Sequence, residues 1–321
     1  MRVETLTSGP TTIAMLEMRE DGGSSPDAAE RVALIGAARA RADELLLEFG
    51  AVAFRGLGVA SAGEFHAVVS AFAAPFTEYL YGNSPRTSVH HGVWTSTEYP
   101  AEYDISLHNE LSQAYRWPDR LFFCCLVAPP TGGETPVSDS RAVLTGIDPA
   151  VRERFERHGV AYLQNLHGGF GLGRSWQESY ETDDRAKVEE YLRVAGIEFR
   201  WTDDEDLRIR QVRPASRTHP VTGAQVWFNQ ADQFHVSNLR PAEAEALMEL
   251  VDSEEELPLS ATFGDGSAIP LEDLDHVRQQ ARKNECSFRW EPGDVLMIDN
   301  MLVMHGRHAY GGDRQVLVAM T

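Results

Sequence analysis

The sequence predicts an α+β chain that is mainly β, with one barrel or sandwich core carried on helical supports. Three observations predict it. A helix–strand–helix lead-in occupies residues 28–73, strand-and-turn patterns fill 81–140 and 287–320, and helical patterns lie between those two strand-rich stretches. No internal repeat or low-complexity tract interrupts the chain, so 1–321 is expected to be a single domain.

Taken in order, residues 1–27 are mixed and end in the loop Asp21-Gly22-Gly23-Ser24-Ser25-Pro26-Asp27. From Ala28 to Phe49, apolar Val32, Leu34, Ile35, Leu45, Leu46 and Leu47 fall among Ala, Arg and Glu, which predicts a helix closed by Gly50. Ala51-Val52-Ala53-Phe54 reads as a strand, and Ser61 caps a second helix reaching Ala73. Strands are expected at 88–94, around His108 and at 121–127, followed by the tight turn Pro129-Pro130-Thr131-Gly132-Gly133. Residues 149–215 read as a helical insertion, with a helix at 149–157, a loop containing Gly168, Gly169, Gly171 and Gly173, and a charged helix at 183–195. A strand at 225–229 and helices at 240–251 and 271–283 lead to the last strands, 295–298, 301–305 and 314–320.

The totals exclude some function classes. Against 29 Lys and Arg stand 49 Asp and Glu, a formal charge of −20, which disfavours nucleic acid and anionic membrane as partners. Lys187 and Lys283 are the only lysines, so arginine is the default cation. Cys124, Cys125 and Cys286 cannot build a disulfide framework and read as buried thiols of a reduced, cytoplasmic protein. The N-terminal stretch lacks the basic-then-apolar pattern of a secretion signal, and no apolar run reaches membrane-spanning length. The oligomeric state is not legible.

The chemistry centres on Ser106-Leu107-His108-Asn109-Glu110-Leu111. On a strand, side chains alternate faces, so His108 and Glu110 share one face and Asn109 takes the other. A distant third ligand, His305, completes a 2-His-1-carboxylate set that leaves one face of a metal open. Among eleven histidines a single His-x-Glu pair does not identify a metal site, and His305 also reads as a strand-end histidine bonded to backbone. Arg314, opening the last strand, has the fork that grips a carboxylate, and Thr135 follows a glycine turn where its hydroxyl meets a second one. Trp227 to His235 mixes aromatic and polar groups; Asn229, Gln230 and His235 suit an amide, amine or carboxylate, and Arg116 and Arg307 suit an anion. His90-His91 and His308 are expected at the surface or behind the ligands. The same ligand types also serve a zinc hydrolase, and a non-catalytic binding protein stays open at this point.

The ordered motifs Trp94-Thr95-Ser96-Thr97-Glu98-Tyr99-Pro100, Leu107 to Ser112, Gly132-Gly133-Glu134-Thr135-Pro136, Arg210 to Pro214 and Asp299 to Arg307 resemble those of the taurine dioxygenase-like (TauD/TfdA) Fe(II)/2-oxoglutarate oxygenases. The resemblance runs from Leu47 to the C-terminus and is nearest the branch of the syringomycin-cluster aspartyl hydroxylase. It implies a double-stranded β-helix (jelly-roll) core, with His108, Glu110 and His305 matching the Fe(II) ligands. It also implies that Arg314 and Thr135 match the residues that hold 2-oxoglutarate, with O₂ as the other cosubstrate. Val318 stands where taurine dioxygenase carries a second, substrate-binding arginine, which disfavours a sulfonate. A substrate tethered to a peptidyl carrier protein fits that change, as does a free amino-acid-like molecule held elsewhere. Related halogenases replace the carboxylate ligand with a small residue, so Glu110 implies hydroxylation rather than halogenation; desaturation and epoxidation stay open. The implied setting is antibiotic biosynthesis.

Overall fold

The structure, a computed structural model, describes residues 1–19, 25–72, 76, 86–97 and 99–321. Asp21 to Ser24 of the expected loop, the start of the 81–140 stretch and Glu98 therefore lie outside the described residues.

The lead-in forms as its residues dictate. The Asp27 side chain accepts from the Glu30 amide at the start of the helix Ala28–Phe49, and Gly50 ends it at φ 79°. A Cβ at Gly50 would come within 2.6 Å of Val303, so both the dihedral and the space require glycine there. The next strand, Ala51–Arg55, enters an eight-stranded sheet whose order is Arg2–Ser8, Thr11–Glu17, Ala51–Arg55, Val295–Asp299, Arg120–Val127, Gln315–Met320, Val93–Thr95, Ser88–His90. The first two strands form an antiparallel hairpin that the mixed composition of residues 1–27 did not show.

Both faces of that sheet's central strands are buried. Phe122, Cys124, Val295 and Met297 face the helices Ala28–Phe49 and Ala62–Phe72 in one apolar cluster. Leu121, Phe123, Cys125, Leu296 and Val318 face the other way and pack with Val137, Cys286 and Val303 of a second sheet. That sheet has the order Glu285–Cys286, Val137–Asp139, Val303–Arg307, Ile105–His108. All three cysteines are free and buried, and burial raises the pKa of each thiol, as expected of inert core residues.

Residues 149–215 form the two expected helices but are not purely helical. Beside the helices Pro149–His158 and Arg185–Val194 they contain the strands Val160–Leu166, Glu198–Trp201 and Leu207–Arg213. These pair in one antiparallel sheet, and Leu259–Phe263 adds to it from much later in the chain. One face of the sheet is apolar: Tyr162, Ala261 and Phe263 join Phe155, Trp227 and Leu274 in a cluster that also takes in Leu107 and Met304. The inserted region is thus fused to the strands that carry the two candidate histidine ligands. No helix among the described residues is long and apolar enough to cross a membrane.

Candidate metal and cosubstrate site

Strands Ile105–His108 and Val303–Arg307 are antiparallel, and His108 and His305 are direct cross-strand partners. Their rings lie 4.4 Å apart between centroids. Register does this, not chance: one residue of slip in either strand would send its ring to the face opposite the other. Gly306 lets the strands come close, since a Cβ there would lie 2.6 Å from the Ile105 carbonyl oxygen.

Glu110 arrives by a different route from the one alternation predicts. The strand stops at His108, and Glu110 lies in the turn that follows. The carboxamide of Asn300 fixes the backbone on both sides: the Glu110 N–H donates to Asn300 Oδ1 at 2.8 Å, and Asn300 Nδ2 donates to the Glu110 carbonyl at 2.9 Å. Asn109 points the other way and donates to the carbonyls of Asn300 at 2.7 Å and Val303 at 3.0 Å. Leu111 then takes φ 53°, a left-handed conformation that costs a leucine energy and is kept where the surroundings demand it. The outcome is that His108, Glu110 and His305 each offer a ligand atom within 4.8 Å of the others.

The donor chemistry fits a divalent metal. His108 Nδ1 lies 2.8 Å from the Ser106 carbonyl, which can only accept; Nδ1 therefore donates there, which leaves Nε2 as the nitrogen that can turn to a metal. His305 is buried, and burial first, then the neighbouring His108 and Arg86, hold its pKa well below the usual value, so it is the neutral ring a metal requires. Its Nδ1 is buried with no hydrogen-bond partner among the described residues, and its Nε2 stands 4.0 Å from Glu110 Oε2. Two imidazoles and one carboxylate are the set that suits Fe(II) with open positions. The Glu110 carboxylate is also met by Arg86, whose Nη2 lies 2.6 Å from Oε2, with both side chains 5% exposed. Nothing in the sequence singles Arg86 out among many arginines.

Beside the ligands an inner niche is lined by Arg86, Ser96, Thr135, Arg314 and Val318, together with His108 and His305. Arg314 donates through Nε to the Gly133 carbonyl at 2.9 Å and through Nη1 to Ser96 Oγ at 3.2 Å. Burial lowers its pKa to about 10, so it stays charged at neutral pH. Gly133, at φ 74°, is required there: a Cβ would come within 2.6 Å of Pro129 and 3.0 Å of Arg314 Cδ. Thr135 is buried in the same wall. A second, larger cavity of about 500 Å³ shares Thr97, Ile105 and His108 with the niche and opens among Ser106, Gln230, Gln233, Asn238 and the Asp232–Arg278 pair.

The structure brings together His108, Glu110, His305, Thr135 and Arg314, and divides the remaining expected residues. Gln230 lines the larger cavity and donates to the Asn109 carbonyl at 2.9 Å. Asn229 does not reach it; its carboxamide bonds the Ala215 carbonyl and the Ala231 N–H, because it shapes the loop itself. His235 accepts the Ser237 N–H and caps a short turn away from both cavities. Arg116 is exposed on a separate groove with Trp117 and Arg217. Arg307 touches the niche, but its terminal nitrogens are bound to the carbonyls of Tyr99, Pro100 and Tyr103. His90 and His91 are exposed, and His308 bridges Glu134 and Glu285. Sequence reasoning named no role for Arg86, Asn300, Ser106 or Gln233; the last three lie in stretches it singled out, Asp299 to Arg307, Ser106 to Leu111 and Trp227 to His235, whereas Arg86 carried no signal.

A strand core holding two histidines and a carboxylate beside an arginine-bearing niche is the arrangement of a metalloenzyme with open metal positions, and the family match makes it a non-haem iron oxygenase that uses 2-oxoglutarate and O₂. Residues 26–321 match the family described as taurine catabolism dioxygenase TauD, TfdA family, and the chain belongs to that family. It is 39% identical over 278 residues to the dapdiamide synthesis protein DdaC of Enterobacter agglomerans, covering 87% of this chain and 84% of that protein. It is 33% identical over 287 residues to a clavaminate synthase-like protein of Arabidopsis thaliana, covering 87% and 83%. Among solved structures it is similar to PvcB from Pseudomonas aeruginosa, with a TM-score of 0.55 at 14% identity over 99% of this chain and 90% of that one.

Proposed function

We propose that the protein hydroxylates an unactivated C–H bond of an amino acid or amino-acid-derived substrate in secondary metabolism, with His108, Glu110 and His305 holding Fe(II) and Arg314 and Thr135 holding 2-oxoglutarate. The whole chain acts as one domain, and the eight-stranded and four-stranded sheets are the two walls of a double-stranded β-helix. The observation that carries this reading is the meeting of the three ligand side chains beside the Arg314 niche. Identity to a dapdiamide synthesis protein supports the amino-acid-derived substrate class.

Bound iron supplies O₂ activation coupled to oxidative decarboxylation, so that substrate, O₂ and 2-oxoglutarate become hydroxylated substrate, succinate and CO₂. The chain supplies position. Arg314, fixed by Gly133 and Ser96, pairs with the distal carboxylate of 2-oxoglutarate, and the Thr135 hydroxyl donates to it. Asn300 keeps Glu110 from swinging, and the Ser106 carbonyl keeps His108 in the ligand tautomer. Phe123 and Val318 close the niche with apolar surface and exclude water from the cosubstrate. Because Val318 cannot pair with an anionic head, the substrate enters through the larger cavity, either free or with its carboxyl tied up as a carrier-protein thioester. The test is succinate release with iron and 2-oxoglutarate across free and carrier-tethered amino acids, with product mass read for one added oxygen atom. Absence of substrate-stimulated, iron-dependent succinate release across that set contradicts the reading.

A further inference from the structure

We propose that Arg86 makes metal binding conditional on an anionic cosubstrate, by competing with a lone divalent cation for Glu110; this rests on His108, Glu110 and His305 being the metal ligands. The geometry points to competition for one atom. Glu110 Oε2 accepts the Arg86 Nη2 donor at 2.6 Å, and the same Oε2 is the oxygen that faces His305 Nε2 at 4.0 Å. A cation taken up between Glu110 and His305 therefore acts on the oxygen that Arg86 already holds.

Burial makes the competition strong. The Arg86 and Glu110 side chains are each 5% exposed, so solvent screens their charges weakly. A divalent cation entering alone joins three guanidiniums, Arg86, Arg307 and Arg314, around one niche with a single carboxylate ligand to offset them. A keto-diacid in the niche brings two negative charges and relieves that imbalance, so metal and cosubstrate each favour the other. Such coupling is reciprocal by linkage. Arg86 is a positioning residue in this scheme: it leaves the ligand set unfilled by stray divalent ions and admits the metal together with the anion that the reaction needs.

The experiment is calorimetric titration of the full chain with Co(II), with and without N-oxalylglycine, for wild type, Arg86→Gln, Arg86→Lys and Glu110→Ala. Arg86→Gln is expected to bind Co(II) alone about tenfold more tightly, and the factor by which N-oxalylglycine tightens Co(II) is expected to shrink by about as much. Arg86→Lys, which keeps the charge, stays within about twofold of wild type. Unchanged or weaker Co(II) binding in an Arg86→Gln protein that melts like wild type overturns the proposal. If Arg86→Gln does not fold, wild-type crystals decide: with Co(II) and N-oxalylglycine bound, Arg86 is expected to have left Glu110 Oε2, and an intact pair overturns the idea. Glu110→Ala separates the two readings. Retained wild-type Co(II) affinity in that variant defeats the ligand assignment itself, whereas lost affinity with an unaltered Arg86→Gln defeats this inference alone.

Discussion

Arg307 and Arg314 stand at the ends of two C-terminal strands, and both approach the ring of Tyr310, at 5.1 and 5.5 Å. Burial lowers the pKa of each. Their partners differ. Arg307 donates through its two terminal nitrogens to three backbone carbonyls, which ties residues 99–103 to the strand Val303–Arg307. Arg314 has one carbonyl and one hydroxyl among the described residues, through Nε and Nη1, and lines the niche beside the two histidines. Saturation by carbonyls makes a buried guanidinium a brace, whereas one with fewer partners at a cavity wall is the better candidate to seat an anion. The sequence already set Arg314 apart as the cosubstrate arginine and left Arg307 as a substrate-side anion candidate; the hydrogen bonds of Arg307 show why it is occupied elsewhere.

Substitution breaks or sharpens this contrast. Arg307→Ala strands three carbonyls and is expected to lower stability by about 3 kcal/mol, read by denaturant unfolding, with little change in the 2-oxoglutarate KM. Arg314→Ala is expected to do the reverse, raising the 2-oxoglutarate KM by about a hundredfold in succinate-release assays while leaving the melting temperature nearly unchanged. Equal KM effects from the two variants would dissolve the distinction. Arg314→Lys keeps charge but loses the fork, so a smaller rise in KM, about tenfold, is expected.

The smallest effect comes from His308, the residue after the brace. It lies 2.7 Å from Glu285 and 3.3 Å from Glu134, and these carboxylates, Glu285 first, raise its pKa to about 9. A pKa raised above the ordinary value of about 6.5 means the stabilisation is fully present below that value and is lost as pH rises through about 9. Wild-type unfolding free energy is thus expected to decline across that window, and His308→Gln to flatten the decline. A window unmoved by the substitution would remove His308 from the account.

Much of this was legible because local rules and tertiary structure agree. The helix Ala28–Phe49 and its Gly50 stop follow from capping and periodicity, and His108 and Glu110 converge as their spacing suggests. The convergence has another cause, however: the Asn300 carboxamide turns Glu110 inward after the strand has ended, and no period-2 rule contains that bond. The hairpin Arg2–Ser8 with Thr11–Glu17 was illegible because one strand is exposed throughout and its partner is almost wholly buried, so neither alternates. In Leu207–Arg213 the alternation is present, but its pairing with Leu259–Phe263 through Val160–Leu166 depends on residues far away in the chain. Arg86 was invisible for a similar reason. Its meaning comes entirely from Glu110 lying 2.6 Å away.

The central claim is that three separated side chains hold one ferrous ion while Arg314 seats the keto-diacid beside it. Anaerobic addition of Fe(II) and 2-oxoglutarate, followed by visible absorption, tests this most directly. The wild-type protein is expected to show a charge-transfer band that is lost in His108→Ala and His305→Ala and needs far more 2-oxoglutarate to appear in Arg314→Ala. A band that survives both histidine substitutions, or no band in the wild-type protein, would contradict it.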